Sequence, residues 1–156
     1  MGNIMHKHIE KIKGKAKEVT ELLGFSSDVI VVERGNVISV NFQVDEPAVL
    51  IGRGGEGLES LQHILRLLLG ETIYEIGGIL VVDINGYRDK KASSIEKMAR
   101  EIAHRVRTSG TEEELPPMNS FERRLVHTLI TNIADVESGS VGDRLDRRVV
   151  IKPKKH

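Results

Sequence analysis

The chain has 156 residues, 39% of them apolar and 29% charged, with 23 Lys and Arg balanced by 23 Asp and Glu. That length suits one ordinary domain or two small ones, with apolar side chains enough for buried cores. The lack of cysteine excludes disulfides and thiolate metal sites, and no apolar run reaches the length of a membrane-spanning helix.

No signal-peptide core opens the chain, so the expectation is a cytoplasmic protein without direct membrane insertion. Aromatics make up only 3% and Trp is absent, which argues against base stacking on an aromatic sheet surface. The neutral total hides an asymmetry. Residues 1–84 carry 8 Lys and Arg against 12 Asp and Glu, and residues 85–156 carry 15 against 11. Any electrostatic hold on phosphates is therefore expected mainly in the second half.

Met5, Ile9, Ile12, Ala16, Val19, Leu22 and Leu23 recur at steps of three or four, which predicts an amphipathic helix stopped by Gly24. Its outer face holds Lys7, Lys11, Lys13, Lys15 and Lys17, read equally as a solvated surface or as a backbone-binding flank. His6 and His8 lack a third ligand and make a weak metal signal. Val29 to Glu33 and Val37 to Val44 are rich in β-branched residues and are joined across Arg34-Gly35-Asn36, which predicts a hairpin.

Asp45-Glu46-Pro47 ends that hairpin, and Ala48 to Ile51 leads into Gly52-Arg53-Gly54-Gly55-Glu56-Gly57. Four glycines in six positions leave the backbone open to close approach, and the helix expected over Gly57 to Leu69 adds unpaired N–H groups at its start. Such a loop suits an anion, above all a phosphate. Two readings compete. Gly52, Gly54 and Gly57 satisfy the dinucleotide fingerprint, which needs a strand running into the glycines and an acid about 20 residues on. The clear strand ends too early for that, and Asp83 lies 26 residues past Gly57. The other reading makes Gly52-Arg53-Gly54-Gly55 a GxxG loop between two helices, with Arg53 meeting a phosphate. A plain helix-turn-helix corner is the bland alternative to both.

Leu58, Leu61, Leu65, Leu68 and Leu69 share one face of the following helix, Gly70 stops it, and Ile79 to Ile84 reads as an apolar strand ended by Asn85-Gly86. The order is helix, strand, strand, helix, GxxG, helix, strand. It resembles a type II KH domain, αββααβ, over residues 3–84. Such a domain clamps about four nucleotides of single-stranded nucleic acid by their backbone.

A new unit begins near Tyr87. Ala92, Ile95, Ala99, Ile102 and Val106 predict a helix with Arg88, Lys90, Lys91, Lys97, Arg100, Arg105 and Arg107 outside. Ser109-Gly110-Thr111 turns into an extended piece ending at Leu115-Pro116-Pro117. Asn119 and Glu122 have capping-box spacing. In the helix they open, Phe121, Leu125, Leu129 and Ile133 make the expected buried stripe, with Arg123 at its border, Arg124 beside it and His127 nearly opposite. A solvated polar face is the bland reading of the three. Ala134 to Glu137 and Arg147 to Ile151 read as strands joined by a flexible Ser138-Gly139-Ser140-Val141-Gly142, before a basic tail of Lys152-Pro153-Lys154-Lys155.

Arg123-x-x-x-His127, followed by Arg147-Arg148-Val149-Val150-Ile151, resembles the single-strand nucleic-acid-binding domain named for its Arg-x-x-x-His motif. The tandem is similar to the bacterial Jag family, over residues 3–155. The resemblance implies an α+β chain: a type II KH domain followed by a small α/β domain over residues 87–155, with two helices on a three-stranded sheet. It implies non-catalytic binding of single-stranded RNA, or single-stranded DNA, in a regulator linked to cell elongation, division or sporulation. It implies a small stand-alone KH protein, or self-association, as the protein partner. Carried over, Gly52, Arg53, Gly54 and Gly55 form the KH loop, Arg123 and His127 make phosphate contacts, and Arg124, Arg148 and Lys152 are their neighbours. Many members carry an additional N-terminal domain, so this chain is expected to be a short form or a fragment.

There is no cysteine nucleophile, no paired carboxylates are tied to a histidine in a recognisable motif, and His63, His104 and His127 have no metal spacing, so no enzyme activity, cofactor or metal is expected. The rivals are a protein-interaction scaffold, which the acidic first half keeps open, and a dinucleotide-binding enzyme built on Gly52 to Gly57.

Overall fold

The computed structural model describes residues 2–154, with side chains from His6 onward. Met5 of the first apolar series and Lys155 of the tail lie outside the side chains it describes. The chain divides into two compact units between Arg88 and Asp89.

The first unit runs α1 (Gly2–Leu22), β1 (Asp28–Arg34), β2 (Val37–Gln43), α2 (Pro47–Ile51), a 3-10 turn (Arg53–Gly55), α3 (Glu56–Glu75) and β3 (Ile79–Ile84). This is the αββααβ order. The strands lie in the order β1-β2-β3, with β2 antiparallel to β1 and parallel to β3. A parallel neighbour needs a crossover, and α2, the turn and α3 supply it. Strand alternation puts Ile38, Val40 and Phe42 of β2 and Leu80, Val82 and Ile84 of β3 on one face. Ile12, Ala16 and Val19 of α1 and Leu58, Leu61, Leu65 and Leu69 of α3 complete that core. Gly35, at φ 63, takes the first corner of the β1–β2 hairpin, where a left-handed residue matches the strands' twist.

Three expectations change here: Leu68, expected on the apolar face of α3, is 54% exposed. Leu22 and Leu23 are not core residues: α1 ends, Gly24 turns the chain at φ 87, and Phe25 packs on the core instead. Nor does Gly70 stop α3, which continues to Glu75 with Thr72 buried and Ile73 packed against the core. That burial outweighs the roughly 1 kcal/mol of helix propensity a glycine gives up.

The second unit takes nearly all of α4 (Tyr87–Ser109), then β4 (Glu113–Glu114), α5 (Ser120–Thr131), β5 (Val136–Val141), a 3-10 turn (Arg144–Asp146) and β6 (Arg148–Pro153). Its sheet has the order β4-β6-β5, antiparallel throughout, so the unit is two helices on three strands. Ile95, Ala99, Ile102, Ala103 and Val106 of α4 and Val126 and Ile130 of α5 meet Val136, Val149 and Ile151 of the sheet. The guanidinium of Arg105 forks onto both carboxylate oxygens of Glu113 at 2.8 to 3.2 Å, tying α4 to β4.

Three readings are corrected in this region. Arg88 is not part of the outer basic face of α4. Its Nε donates to the Val82 carbonyl at 2.9 Å, its Nη1 pairs with Glu59 at 2.9 Å, and it belongs to the first unit. The buried line of α5 is Glu122, Val126 and Ile130, whereas Phe121 is 67% exposed and Leu125, Leu129 and Ile133 only flank the core. The serine-glycine segment expected to be flexible is most of strand β5, because all six of its residues pair with β6.

Candidate functional site

The expected site residues fall in three places. The first is the glycine loop. Pro47 starts α2, where its missing N–H is no loss, and the helix ends after five residues at Gly52. Gly52 (φ 72), Gly54 (φ 60) and Gly55 (φ 90) all lie in the left-handed region, which lets α3 begin almost at once after α2. A Cβ on Gly57 would sit 2.3 Å from the Leu50 carbonyl oxygen, and one on Gly52 would sit 2.9 Å from the Gly57 nitrogen. These two glycines therefore permit the helix crossing. Gly55 is buried with Tyr87 against it, where a Cβ would come 3.2 Å from the ring. Only Gly54 faces open space, beside the exposed Arg53.

Residues ahead of the loop are helical, so the strand required by the dinucleotide fingerprint is missing. Arg53 has no ion pair among the described residues, but the exposed Glu56 stands in the first turn of α3 and offsets part of its charge.

The second place is α5. Its start is a full capping box: Glu122 N–H donates to Asn119 Oδ1, and Asn119 N–H donates to a Glu122 carboxylate oxygen, both at 2.9 Å. One turn on, Arg123 Nη1 donates to the Met118 carbonyl at 2.7 Å. His127 lies over β5, with Nδ1 2.8 Å from Ser138 Oγ and Nε2 2.8 Å from Ser140 Oγ. Burial, and then the positive charge of Arg123, hold the His127 imidazole below its ordinary pKa. The ring is thus neutral near pH 7, and both its nitrogens are engaged inside the unit. Arg124 is exposed on the same helix, without an ion pair among the described residues.

The third place is the far side of the sheet. Ser138 pairs with Ile151 and Ser140 with Val149, so the serines share the helix-covered face with those core residues. Arg148 and Lys152 alternate with them and project from the opposite face. Both are in ion pairs, Arg148 with Glu114 at 3.4 Å and Lys152 with Glu112 at 3.4 Å. They are not neighbours of Arg123 and His127.

Sequence reading missed Ser138, Ser140 and Tyr87. The period-two series Val136-x-Ser138-x-Ser140 was a usable strand signal, outweighed by the turn-forming composition around it. Tyr87 gave no local signal. Among the described residues no group of three His, Asp or Glu is arranged to hold a metal, and no helix is long and apolar enough to cross a membrane.

Residues 93–153 match the R-three-H domain family, the domain named for its Arg-x-x-x-His motif. The match takes in α5, β5 and β6, and so the whole Arg123–His127 arrangement. Beyond that domain, the RNA-binding protein KhpB of Clostridium symbiosum is 28% identical over 97% of this chain and 71% of its own length. The protein of that name from Bacillus subtilis (strain 168) is 26% identical over 94% of this chain and 71% of its own. The one from Streptococcus pneumoniae serotype 2 (strain D39 / NCTC 7466) is 31% identical over 72% of this chain but 35% of its own. These matches bear out the resemblance to the Jag family.

Proposed function

We propose that the chain binds single-stranded RNA without catalysing a reaction on it. The observation that carries this reading is the surface of α5 and β5. There Arg123 keeps guanidinium donors beyond the one spent on Met118, one helical turn before His127, whose ring nitrogens lie 2.8 Å from two serine hydroxyls. A phosphate suits such a set: Arg123 supplies charge and Ser140, which is exposed, supplies a hydroxyl. His127 acts by orienting the serines, rather than as a cation on the phosphate. In the first unit, read as a type II KH domain, the strand's backbone passes Gly54 and Arg53, and aliphatic side chains take the bases. The names of the relatives, all RNA-binding proteins, support the same assignment.

On the resemblance to the Jag family, the role extends to regulation of cell elongation, division or sporulation in the cytoplasm, alongside a small KH protein. Single-stranded DNA would satisfy the same phosphate contacts, and the 2′-hydroxyl is what separates the two.

The test is a titration of labelled single-stranded RNA and DNA of the same sequence, with Arg123→Ala and Gly54→Asp. Gly54 is the loop position to alter, because its Cβ points into open space whereas one on Gly55 would press on Tyr87. RNA binding weakened by both substitutions is expected. RNA binding that neither affects would refute the site, and NADH binding in place of RNA binding would return the loop to the dinucleotide reading.

A further inference from the structure

From Asp89 onward, Phe121 is the one Phe, Tyr or Trp in the chain. Its ring is 67% exposed, although it stands in the first turn of a helix whose inner line is Glu122, Val126 and Ile130. Phe25, Phe42 and Tyr87, by contrast, pack into the core of the first unit. Phe121 does not belong to an apolar patch on α5 either. The other exposed residues of that helix are Ser120, Arg124, Thr128 and Thr131, one cation and three hydroxyls. Helix propensity gives no reason for a Phe at such a place, since Ala, Lys and Glu all rank above it.

Helical geometry relates the ring to the Arg-x-x-x-His pair. At 3.6 residues per turn each residue advances by about 100°, so Arg124 lies about 60° round the helix from Phe121 and about 60° from His127. Arg123 and His127 stand at the β5 end of that arc, where His127 meets Ser138 and Ser140. Phe121 stands at the other end, with the exposed Arg124 between, free of ion pairs among the described residues. A strand crossing α5 from β5 therefore meets the donors of Arg123, then the guanidinium of Arg124, then an open aromatic face.

We propose that Phe121 is a base-stacking platform of the second unit, on which one unpaired base lies while Arg123 and Arg124 hold the phosphates beside it. The proposal rests on the RNA-binding reading and adds to it the contact that takes a base. A nucleotide suits this place better than an apolar protein surface, because its flat base covers a single ring and its backbone needs the cations alongside. The ring stands on a helix, so the scarcity of aromatics that argues against a stacking sheet leaves it untouched. Every base has a π-face, so this contact holds a strand without regard to its sequence.

The test is the affinity of the full chain for a labelled single-stranded RNA and for a labelled sugar-phosphate strand of equal length without bases. Phe121→Ala and Phe121→Leu should each weaken RNA binding about tenfold, and Phe121→Tyr should keep it near the natural value. None of the three should change binding of the base-free strand, whereas Arg123→Ala should weaken both. Circular dichroism of each variant checks that the fold is retained, as the exposure of the ring leads one to expect. The chain has no Trp, so Phe121→Trp introduces a single one, whose fluorescence a stacked base should quench. Natural RNA affinity in Phe121→Leu overturns the proposal, because an apolar contact would then suffice. Equal losses on the two strands overturn it as well, since Phe121 would then only support its neighbours. RNA binding weakened by Arg123→Ala but not by Phe121→Ala overturns the stacking alone and leaves the ring to a protein surface. A natural chain that binds neither strand overturns the RNA-binding reading together with it.

Discussion

His127 shows how a single side chain can be bound to a fold and still be named for something else. A neutral imidazole has one N–H donor and one acceptor nitrogen, and the hydroxyls of Ser138 and Ser140 can fill the complementary roles. Protonation turns both nitrogens into donors beside a buried wall and the Arg123 cation, which is why the folded state holds its pKa below the ordinary 6.5. The unfolded chain therefore binds more protons at this residue as the pH drops below about 6.5. Its contribution to stability is complete above that value and is lost as the pH falls through the lower folded one. The melting temperature should fall on acidification from above pH 6.5 to below it, and less steeply in His127→Gln, which cannot titrate. Parallel slopes for the two proteins in a calorimetric pH series would refute the assignment. The motif itself was legible in the sequence. The serines were not, since contact across eleven and thirteen residues depends on strand β5 being where it is.

At the level of elements, α5 carries the candidate residues Arg123 and His127, and its first turn sets their position. Asn119 and Glu122 satisfy two N–H groups that would otherwise lack partners, and Arg123 follows directly. Asn119→Ala should lower stability by about 1 kcal/mol in urea denaturation, and Asn119→Ser by less, because serine also caps. RNA affinity should follow the same order, since a frayed first turn releases Arg123. Capping spacing is local, so the sequence shows it. The apolar face is less secure. Phe121 fits the helical period as well as any residue in α5, yet Glu122 takes the inner position. Its carboxylate is held by the Asn119 N–H and by Lys91 at 3.8 Å, which makes its burial tolerable. Strand β5 gives the reverse lesson. Ser138-Gly139-Ser140 has poor strand propensity, and the ladder to β6 overrides it.

For the molecule as a whole, charge matters by where it is free. The second half has four more basic than acidic residues. Arg105, Arg107, Arg148 and Lys152 are nevertheless bound to Glu113, Asp135, Glu114 and Glu112. Lys97, Arg100, Arg123 and Arg124 are without ion pairs among the described residues, and three of the four are exposed. RNA binding should weaken with salt, and Arg123→Ala should reduce the log–log slope by about 0.7, the single-strand value for one phosphate contact. Arg148→Ala should leave that slope nearly unchanged, because Arg148 projects from the other face of the sheet. Equal slope changes for the two substitutions would place the phosphate path across both faces and refute a path confined to the α5 side.

What the sequence determined by itself was the αββααβ order, the helical loop flanks, the capping box, and the Arg-x-x-x-His pair one helical turn apart. These depend on contacts within a few residues, where period and propensity suffice. The tertiary structure decided what depends on register between distant segments. Pairing of β5 with β6 put Ser138 and Ser140 under His127 and turned Arg148 and Lys152 to the opposite side. The return of the chain after β3 brought Tyr87 against Gly55. A shift of one residue in a strand exchanges its faces, and no local pattern specifies that choice.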